Sequence, residues 1–475
     1  MNVDTPARHV VVAGGGIAGL AAAHRLLASG VRVTLLEATD RVGGKLLSGE
    51  IEGVRVDLGA ESMLARRPEG TGLARAVGLG DRLEPPATAA SAVWTRDALR
   101  PMPKGHVMGV PGDASALAGL LSPEGLSRIE HEKDLPPAEI GDDVAVGAYV
   151  AERLGREVVD RLVEPLLGGV YAGDAYRISM RAAVPRLFEA ARTHGSLLDG
   201  VRAVQAEAAA QQHGGPVFMG LDGGIGTLPG AVAGAVRAQG GDIRTEAPVL
   251  GLARTAAGWR VRTDRDTFDA DAVVLATPAW SASALLAGEC PAAATGLGHV
   301  EYASMALVTM AFRRADTAGM PAGSGFLVPP VDGRTIKAST FSSNKWGWVD
   351  RSAGDLFVLR TSVGRYGEEQ ALEREDAELV DLSLADLGAA VGLTAQPVAA
   401  EVTRWTGGLP QYPVGHLARV ARIRDEVAKV PGLRVCGAVY DGVGIPACIA
   451  SGQRAADEIL ATPTLARGTE HEAGQ

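Results

Sequence analysis

Three spaced glycines near the start of the chain could bring backbone atoms against phosphate groups. Gly14, Gly16 and Gly19 follow the apolar run His9–Ala13 (HVVVA) and open the alanine- and leucine-rich stretch 20–27. The run is typical of a buried strand and the stretch of a helix. In such a unit the first glycine permits a tight turn, the second lets the backbone touch a pyrophosphate, and the third lets helix and strand pack closely. The pattern predicts a Rossmann-type dinucleotide site with the positive end of the helix toward the phosphates. The residues predicted to line it are Gly14, Gly15, Gly16, Ile17, Ala18 and Gly19.

A carboxylate follows at the spacing that such a site uses. Glu37 ends the next predicted strand, 31–36, where an acidic residue binds a ribose hydroxyl. Three spaced glycines are weak evidence in a chain with 62 glycines, but strand, helix and carboxylate together strengthen the prediction. The alternative is an ordinary turn between a strand and a helix.

The residues after this carboxylate point to the cofactor by resemblance. From Glu37 to Gly44 the sequence reads ExxxRxGG, with Lys45 next. This run resembles the second signature of the FAD-dependent amine oxidase, desaturase and porphyrinogen oxidase superfamily, and implies FAD. Arg41 would serve the pyrophosphate as a planar cationic fork, the alternative being a solvated surface charge. The contacts that the resemblance implies here are Glu37, Ala38, Arg41, Gly44 and Lys45.

Three further segments resemble flavin contacts of the same superfamily. The loop after the predicted strand 54–58 resembles the segment that reaches the isoalloxazine, and a second glycine turn after the predicted strand 433–436 opens a predicted helix, 448–460. The positive end of that helix would face the flavin pyrimidine edge. Val249, through its backbone, and Trp405 are implied by resemblance alone, since such residues usually belong to a core. The implied contacts are Gly59, Ala60, Glu61, Ser62, Val249, Trp405, Val443, Gly444 and Ile445.

Elements that position these residues recur along a chain of 475 residues, long enough for several domains. The middle of the chain predicts a helix over 228–238 and strands over 242–244, 248–250 and 271–278. We expect an α/β fold: a discontinuous Rossmann-type FAD-binding domain, like that of amine oxidases and p-hydroxybenzoate hydroxylase, with an inserted α+β substrate domain and a helical region. The FAD-binding parts are predicted at 1–95 (with entry to the substrate domain after about 62), 216–297 and 401–461. The remaining parts are a substrate and helical region at 96–215, a substrate sheet at 298–400 and a flexible tail at 462–475.

More specific strings lie outside the cofactor motifs. They are PMPKG at 101–105, EPLLGGVYAGD at 164–174, SGFL at 324–327, Lys-Trp at 345–346, PQY at 410–412 and GVGIP at 442–446. Together they resemble the porphyrinogen oxidases of haem biosynthesis, specifically the Gram-positive-type coproporphyrinogen III oxidases. The resemblance implies removal of six electrons and six protons from coproporphyrinogen III in three two-electron flavin cycles, with oxygen reduced to hydrogen peroxide. The alternatives are oxidation of protoporphyrinogen IX, an amine oxidase or desaturase, and a flavin-bound sensor or scaffold without turnover.

Cationic residues are candidates for holding the substrate's propionate groups. Lys104 and Arg67 could pair with carboxylates, although either could be an ordinary surface charge. His106 could move protons near neutral pH, but a lone histidine is more often structural. The sequence does not indicate a general base, so the catalytic residues stay unassigned.

Composition narrows partners and location. A formal net charge of -10 disfavours nucleic acid. No stretch is apolar enough to span a membrane, and the first eight residues, MNVDTPAR, carry no signal-peptide pattern. Cys290, Cys436 and Cys448 show no metal-binding spacing, so no metal is expected. We expect a cytoplasmic protein, at most peripheral to a membrane, whose partners are a porphyrinogen, molecular oxygen and, transiently, ferrochelatase.

Overall fold

A computed structural model describes residues 8–136, 140–211 and 215–462. Its strands are β1 His9–Ala13, β2 Arg32–Leu36, β3 Ser48–Ile51, β4 Val54–Asp57, β5 Met63–Leu64, β6 Leu83–Glu84, β7 Ala92–Thr95, β8 Ala98–Pro101, β9 His106–Val107, β10 Val110–Pro111, β11 Phe218–Leu221, β12 Asp242–Arg244, β13 Gly251–Thr255, β14 Gly258–Arg262, β15 Thr267–Ala270, β16 Ala272–Leu275, β17 Tyr302–Arg313, β18 Gly325–Leu327, β19 Ile336–Thr340, β20 Leu356–Val363, β21 Ala399–Pro410 and β22 Leu433–Val435.

The α-helices are α1 Ile17–Leu27, α2 Pro68–Ala76, α3 Pro123–Glu130, α4 Val146–Leu154, α5 Arg156–Val158, α6 Glu164–Tyr171, α7 Met180–Ala183, α8 Pro185–Thr193, α9 Leu197–Gln211, α10 Leu228–Ala238, α11 Ala279–Leu286, α12 Pro291–Gly298, α13 Ser342–Lys345, α14 Gly347–Ala353, α15 Asp376–Val391, α16 His416–Ala428, α17 Ala438–Asp441 and α18 Ile445–Ala461. No helix within the described ranges is both long and apolar enough to cross a membrane.

Five parallel strands form the sheet that carries the glycine turn, which is called the cofactor sheet below. Their order is β12-β2-β1-β16-β22, and every neighbouring pair is parallel. Continuous apolar runs such as HVVVA suit strands buried on both faces. Helices α1, α10 and α18 share one apolar cluster with this sheet, and α11, α12 and α16 share a second. The predicted α/β class and the assembly of this layer from separate stretches of chain are therefore confirmed.

A second, larger sheet is formed mainly by strands of the stretch 298–400, and it is called the substrate sheet below after the prediction for that stretch. It has seven strands in the order β21-β17-β20-β19-β18-β7-β8, and α15 packs on it through an apolar cluster. The hairpin β7–β8 spans the predicted boundary between 95 and 96, and β21 spans that between 400 and 401. Periodicity identifies a strand but not the sheet that it joins, so the sequence placed these two boundaries inside elements of one sheet. The predicted domain boundaries themselves stay predictions.

Helices occupy most of the predicted substrate and helical region, residues 96–215. The helices α3 to α9 share an apolar cluster with β10 and with Tyr412. Glycine lets elements approach closely here: a Cβ at Gly109 would lie 2.7 Å from the Cα of Val163.

Some predicted elements differ from those in the structure. Residues 248–250 are not a strand, because the chain after β12 follows the loop beyond β2, where the N–H of Ala247 donates to the carbonyl oxygen of Glu37 over 2.8 Å. Helices α1 and α18 begin three residues earlier than predicted, immediately after Gly16 and Gly444. Apart from Thr462, the predicted tail lies outside the described residues.

Candidate active site

The first glycine turn is held close to two strands of the parallel sheet. The N–H of Gly14 donates to the carbonyl oxygen of Leu36 over 2.8 Å, and a Cβ on Gly14 would lie 2.6 Å from the carbonyl oxygen of Ala276. A Cβ on Gly19 would overlap the carbonyl oxygen of Gly14. The tight turn and the close packing expected of these two glycines are therefore both present.

Open space lies in front of the second glycine. A Cβ on Gly16 would meet no atom within 4 Å. Helix α1 starts at Ile17 with Ala18 and Gly19 in its first turn, and it has neither an acidic residue there nor a side chain that caps it. Its first N–H groups therefore remain available to an anion. This turn fits the pyrophosphate of a dinucleotide.

Glu37, which is predicted to bind a ribose, is hydrogen-bonded to the glycine turn. Its Oε2 accepts from the N–H of Gly15 over 2.7 Å, and its Oε1 accepts from the N–H of Thr39 over 2.9 Å. Ala38 beside it is exposed. Val249 is partly buried against the neighbouring core cluster, just beyond the stretch that hydrogen-bonds to the backbone of Glu37.

Arg41 and Gly44 lie beside the glycine turn. The N–H of Gly43 donates to the carbonyl oxygen of Gly15 over 2.8 Å, and a Cβ on Gly44 would lie 3.3 Å from the Cα of Gly16. The guanidinium of Arg41 donates to the carbonyl oxygen of Gly44 over 2.9 Å. Arg41 thus organises its own loop, while its predicted role toward a pyrophosphate stays a prediction.

Trp405 joins the predicted flavin-facing residues although it comes from the larger sheet. Its Nε1 donates to the carbonyl oxygen of Leu58 over 2.9 Å, and the Nζ of Lys45 lies 5.5 Å from the centre of its ring. A Cβ on Gly59 would lie 3.2 Å from that ring. The N–H of Ala60 donates to the carbonyl oxygen of Lys45 over 3.4 Å. Two segments separated by hundreds of residues meet here.

Glu61 is nearly buried and held by two cations. Its carboxylate pairs with Arg360 over 3.0 Å and with the ammonium of Lys345. Burial by itself would raise the pKa of Glu61, but the positive charges of Arg360 and Lys345 outweigh it and lower the pKa to about 2. Glu61 is therefore an anion committed to protein partners, and Ser62 beside it is partly exposed.

The C-terminal glycine turn meets the first one through its helix. Gly444 caps α18, and Ile445 begins it; Ile445 and Ile17 belong to the same core cluster. A Cβ on Gly452 would overlap the carbonyl oxygen of Ala18, so α18 crosses α1 near its start. Val443 packs instead against the helical cluster. The turn therefore stands between the cofactor sheet and the helical layer.

Several of the more specific strings also come together. A Cβ on Gly169, in EPLLGGVYAGD, would lie 3.8 Å from the side chain of Leu327, in SGFL. The side-chain amide of Gln411, in PQY, donates to the carbonyl oxygen of Tyr171 over 2.9 Å. Val170 is 44% exposed despite its apolar side chain. The end of α6 thus lies beside β18 and exposes the apolar side chain of Val170.

The three substrate candidates do not form one cluster of contacts. The side chain of Lys104 is exposed and its ammonium has no ion-pair partner in the described parts of the chain. The Nδ1 of His106 accepts from the N–H of Gly109 over 3.1 Å, and burial lowers the pKa of His106. Arg67 pairs with Glu69 over 3.1 Å. Their propionate and proton-transfer roles stay predictions.

Sequence reasoning missed three residues that organise the site. Arg360 lies inside β20 and has no local sequence signal. Lys345 belongs to the Lys-Trp string, which contributes to the family resemblance but does not by itself indicate a role. Asp57 ends β4, and its carboxylate accepts from the N–H groups of Ile225 and Gly226, each over 2.9 Å. Burial raises the pKa of Asp57 to about 6. Only the tertiary structure shows that Arg360 and Lys345 bind Glu61 of the 59–62 loop, and that Asp57, just before this loop, is fastened to Ile225 and Gly226.

Comparisons with known proteins agree with this geometry. Residues 17–460 match the family model described as flavin containing amine oxidoreductase. A coproporphyrinogen III oxidase of Mycobacterium tuberculosis is 38% identical, covering 96% of this chain and 98% of the relative. One from Bacillus subtilis is 32% identical, covering 95% and 98%. A crystal structure from Exiguobacterium sp. 255-15, described as a candidate protoporphyrinogen oxidase, superposes with a TM-score of 0.84 at 33% identity, covering 95% of this chain and 98% of that one.

The family match runs from Ile17, the first residue of α1, to Leu460 in α18. It therefore covers Glu37, the C-terminal turn, the seven-stranded sheet and every strand of the five-stranded sheet except β1. The protein is therefore an FAD-dependent oxidoreductase that belongs to the flavin-containing amine oxidoreductase family.

Proposed function

We propose that this protein oxidises coproporphyrinogen III to coproporphyrin III in haem biosynthesis. The proposal is carried by the similarity to coproporphyrinogen III oxidases, which are 38% and 32% identical over 96% and 95% of this chain. The apolar surface of α6 and β18 supports it, because a tetrapyrrole needs a wide apolar cavity with few polar anchors.

The reaction removes six electrons and six protons from each macrocycle. These reduce three molecules of oxygen to three molecules of hydrogen peroxide. FAD, when bound, supplies the two-electron acceptor chemistry. The protein's task is to hold the macrocycle in reach of the cofactor and to exclude competing reactions. Oxygen as the electron acceptor, a transient contact with ferrochelatase and a cytoplasmic location are parts of the proposal.

The cofactor roles proposed for individual residues follow from their placement. Gly14 to Gly19 bind the pyrophosphate, assisted by Arg41 and Gly44, and Glu37 binds the ribose with Ala38 and Val249 beside it. The 59–62 loop, Lys45, Trp405 and the turn Val443, Gly444 and Ile445 bind the flavin end. We place the cofactor domain in three separate stretches of chain, with the substrate domain between them, and assign β7 and β21 to the sheet of the substrate domain.

Substrate binding is proposed to combine the apolar wall at Val170 and Leu327 with cations for the propionates. Arg67 and Lys104 are the candidates, since guanidinium and ammonium groups pair with carboxylates. His106 is the weakest of the three, because its Nδ1 already serves a backbone N–H.

Turnover of the two porphyrinogens side by side tests the proposal. Purified, FAD-loaded protein would be given coproporphyrinogen III or protoporphyrinogen IX in air, with porphyrin fluorescence and peroxide as readouts. A strong preference for coproporphyrinogen III is expected. Equal or reversed preference would move the enzyme to the protoporphyrin route, which the similarity to the Exiguobacterium structure favours as second candidate. Turnover of amines alone, or of no substrate, would overturn the haem assignment.

A further inference from the structure

The 59–62 loop follows the end of β4 at Asp57, and this segment is held by contacts with both sheets. On the cofactor side, the carboxylate of Asp57 accepts from two backbone N–H groups at the start of the segment that leads into α10. On the substrate side, a single guanidinium reaches the loop. One nitrogen of Arg360 donates to the carbonyl oxygens of Asp57 and Gly59 over 3.0 Å and 2.9 Å, and the other pairs with Glu61 over 3.0 Å.

Arg360 itself stands on a rigid support. It lies in β20, between β17 and β19 in the middle of the seven-stranded sheet, where it is paired with Thr309 on one side and Thr340 on the other. Its side chain is only 12% exposed. Three acceptors on one planar fork fix both the position and the orientation of the loop, which a single ammonium could not do.

The second oxygen of Glu61 is occupied as well. Lys345, at the end of α13, pairs with it, which gives the lysine of the Lys-Trp string a structural role. A charge that is nearly buried needs such partners, so the carboxylate has little freedom to turn away. The loop between Gly59 and Ser62 is thus locked by side chains of the substrate sheet.

We propose that Arg360, assisted by Lys345, is a positioning residue that lets the substrate sheet fix the 59–62 loop against the flavin. The inference rests on the flavin role proposed for that loop. Its consequence is that cofactor and substrate are placed by one and the same sheet, since Arg360 and Leu327 both belong to it. Small displacements between reacting groups cost rate steeply, so the effect should fall on turnover more than on substrate binding.

Replacement of Arg360 by lysine tests the proposal directly. R360K keeps the charge but leaves one nitrogen for three acceptors. At FAD saturation kcat is expected to fall roughly 10- to 100-fold, with KM changed by less than about threefold. The visible circular dichroism of bound FAD should change, and the FAD dissociation constant should rise. K345M, which frees one oxygen of Glu61, should change these quantities in the same direction by less.

Arg314 provides a matched control. Its guanidinium also bonds two carbonyl oxygens and one carboxylate, those of Gly354, Leu356 and Asp350, at 3.3, 3.0 and 2.9 Å. R314K should lower the unfolding temperature at most and leave the flavin spectrum and kcat unchanged.

Wild-type flavin spectra, FAD affinity and kcat in R360K would overturn the inference, even if its unfolding temperature fell. If R360K does not fold, K345M decides by the same criteria. If the wild-type protein oxidises no porphyrinogen, the proposed function fails, while the circular dichroism and FAD titrations of the variants still decide the role of Arg360.

Discussion

The carboxylate of Glu37 accepts a hydrogen bond from the backbone N–H of Gly15 over 2.7 Å, and so fastens the end of β2 to the glycine turn. The bond places an anion at the edge of the proposed nucleotide site before any ligand is bound. A hydrogen bond from a ribose hydroxyl to the charged carboxylate of Glu37 would contribute about 1.5–3 kcal/mol to binding. Each 1.4 kcal/mol corresponds to roughly a tenfold change in affinity.

We therefore expect E37A to raise the FAD dissociation constant by about 10- to 100-fold, measured by fluorescence titration of apoprotein. Glu50 is exposed on β3, and E50A should leave the constant unchanged. An E37A variant with wild-type affinity would show that Glu37 supports the fold alone.

Gly19 should tolerate no side chain. A methyl group there would overlap the carbonyl oxygen of Gly14, so G19A must move α1 away from the turn. The expected result is a lower unfolding temperature and loss of FAD binding.

Gly234 provides the control for G19A. It is also helical, in α10, and a Cβ on it would meet no atom within 4 Å. G234A should be neutral or stabilising by up to about 1 kcal/mol. Retention of FAD by G19A at wild-type affinity would contradict the close packing of α1 on the turn.

His416 should make stability depend on pH. It is 1% exposed and its Nε2 hydrogen-bonds to the carbonyl oxygen of Val439 over 2.9 Å. Burial lowers its pKa to about 4 from an ordinary value of 6.5. Between these values the unfolded chain binds more protons than the folded protein, so stability is complete above 6.5 and is lost as the pH falls toward 4.

H416Q cannot take up this proton and should lose less stability between about pH 7.5 and pH 5 than the wild type does. Thermal unfolding at the two pH values measures the difference, with H131Q as the control because His131 is exposed. Parallel pH profiles for the wild type and H416Q would refute this account.

Lys337 is a buried cation with little support. It is 6% exposed, and its Nζ has no hydrogen-bond partner in the described parts of the chain. Burial, and next the charge of Arg365, lower its pKa to about 7. The unfolded chain therefore binds more protons between about 7 and 10.5, and wild-type stability should rise with pH over that range.

K337M removes the unpartnered group and should raise the free energy of unfolding at neutral pH by about 1–3 kcal/mol while flattening the rise toward alkaline pH. Denaturant unfolding measures both. Lys133, 52% exposed, is the control, and K133M should have little effect. Destabilisation by K337M would mean that the ammonium has a partner in solution.

The local part of the cofactor site could be derived from the sequence because its chemistry is local. A strand, a glycine turn and a helix are contiguous, and the strands and helix predicted near 9–36 lie within a few residues of their observed bounds. Glycine spacing follows from backbone sterics, which the residues themselves determine. The α/β class likewise followed from the order of apolar strands and helices.

What only the tertiary structure decided was which distant segments meet. Trp405 comes from the larger sheet, yet the ammonium of Lys45 lies over its ring. Arg360 likewise holds a loop some 300 residues before it, as its hydrogen bond to Gly59 shows. Strand periodicity tells which face of a strand is buried, but the neighbours of that strand depend on sheet order, to which the whole chain contributes. For that reason the amino-acid sequence determined the turn that is proposed to bind the nucleotide, whereas the fold determined which side chains meet at the proposed flavin end.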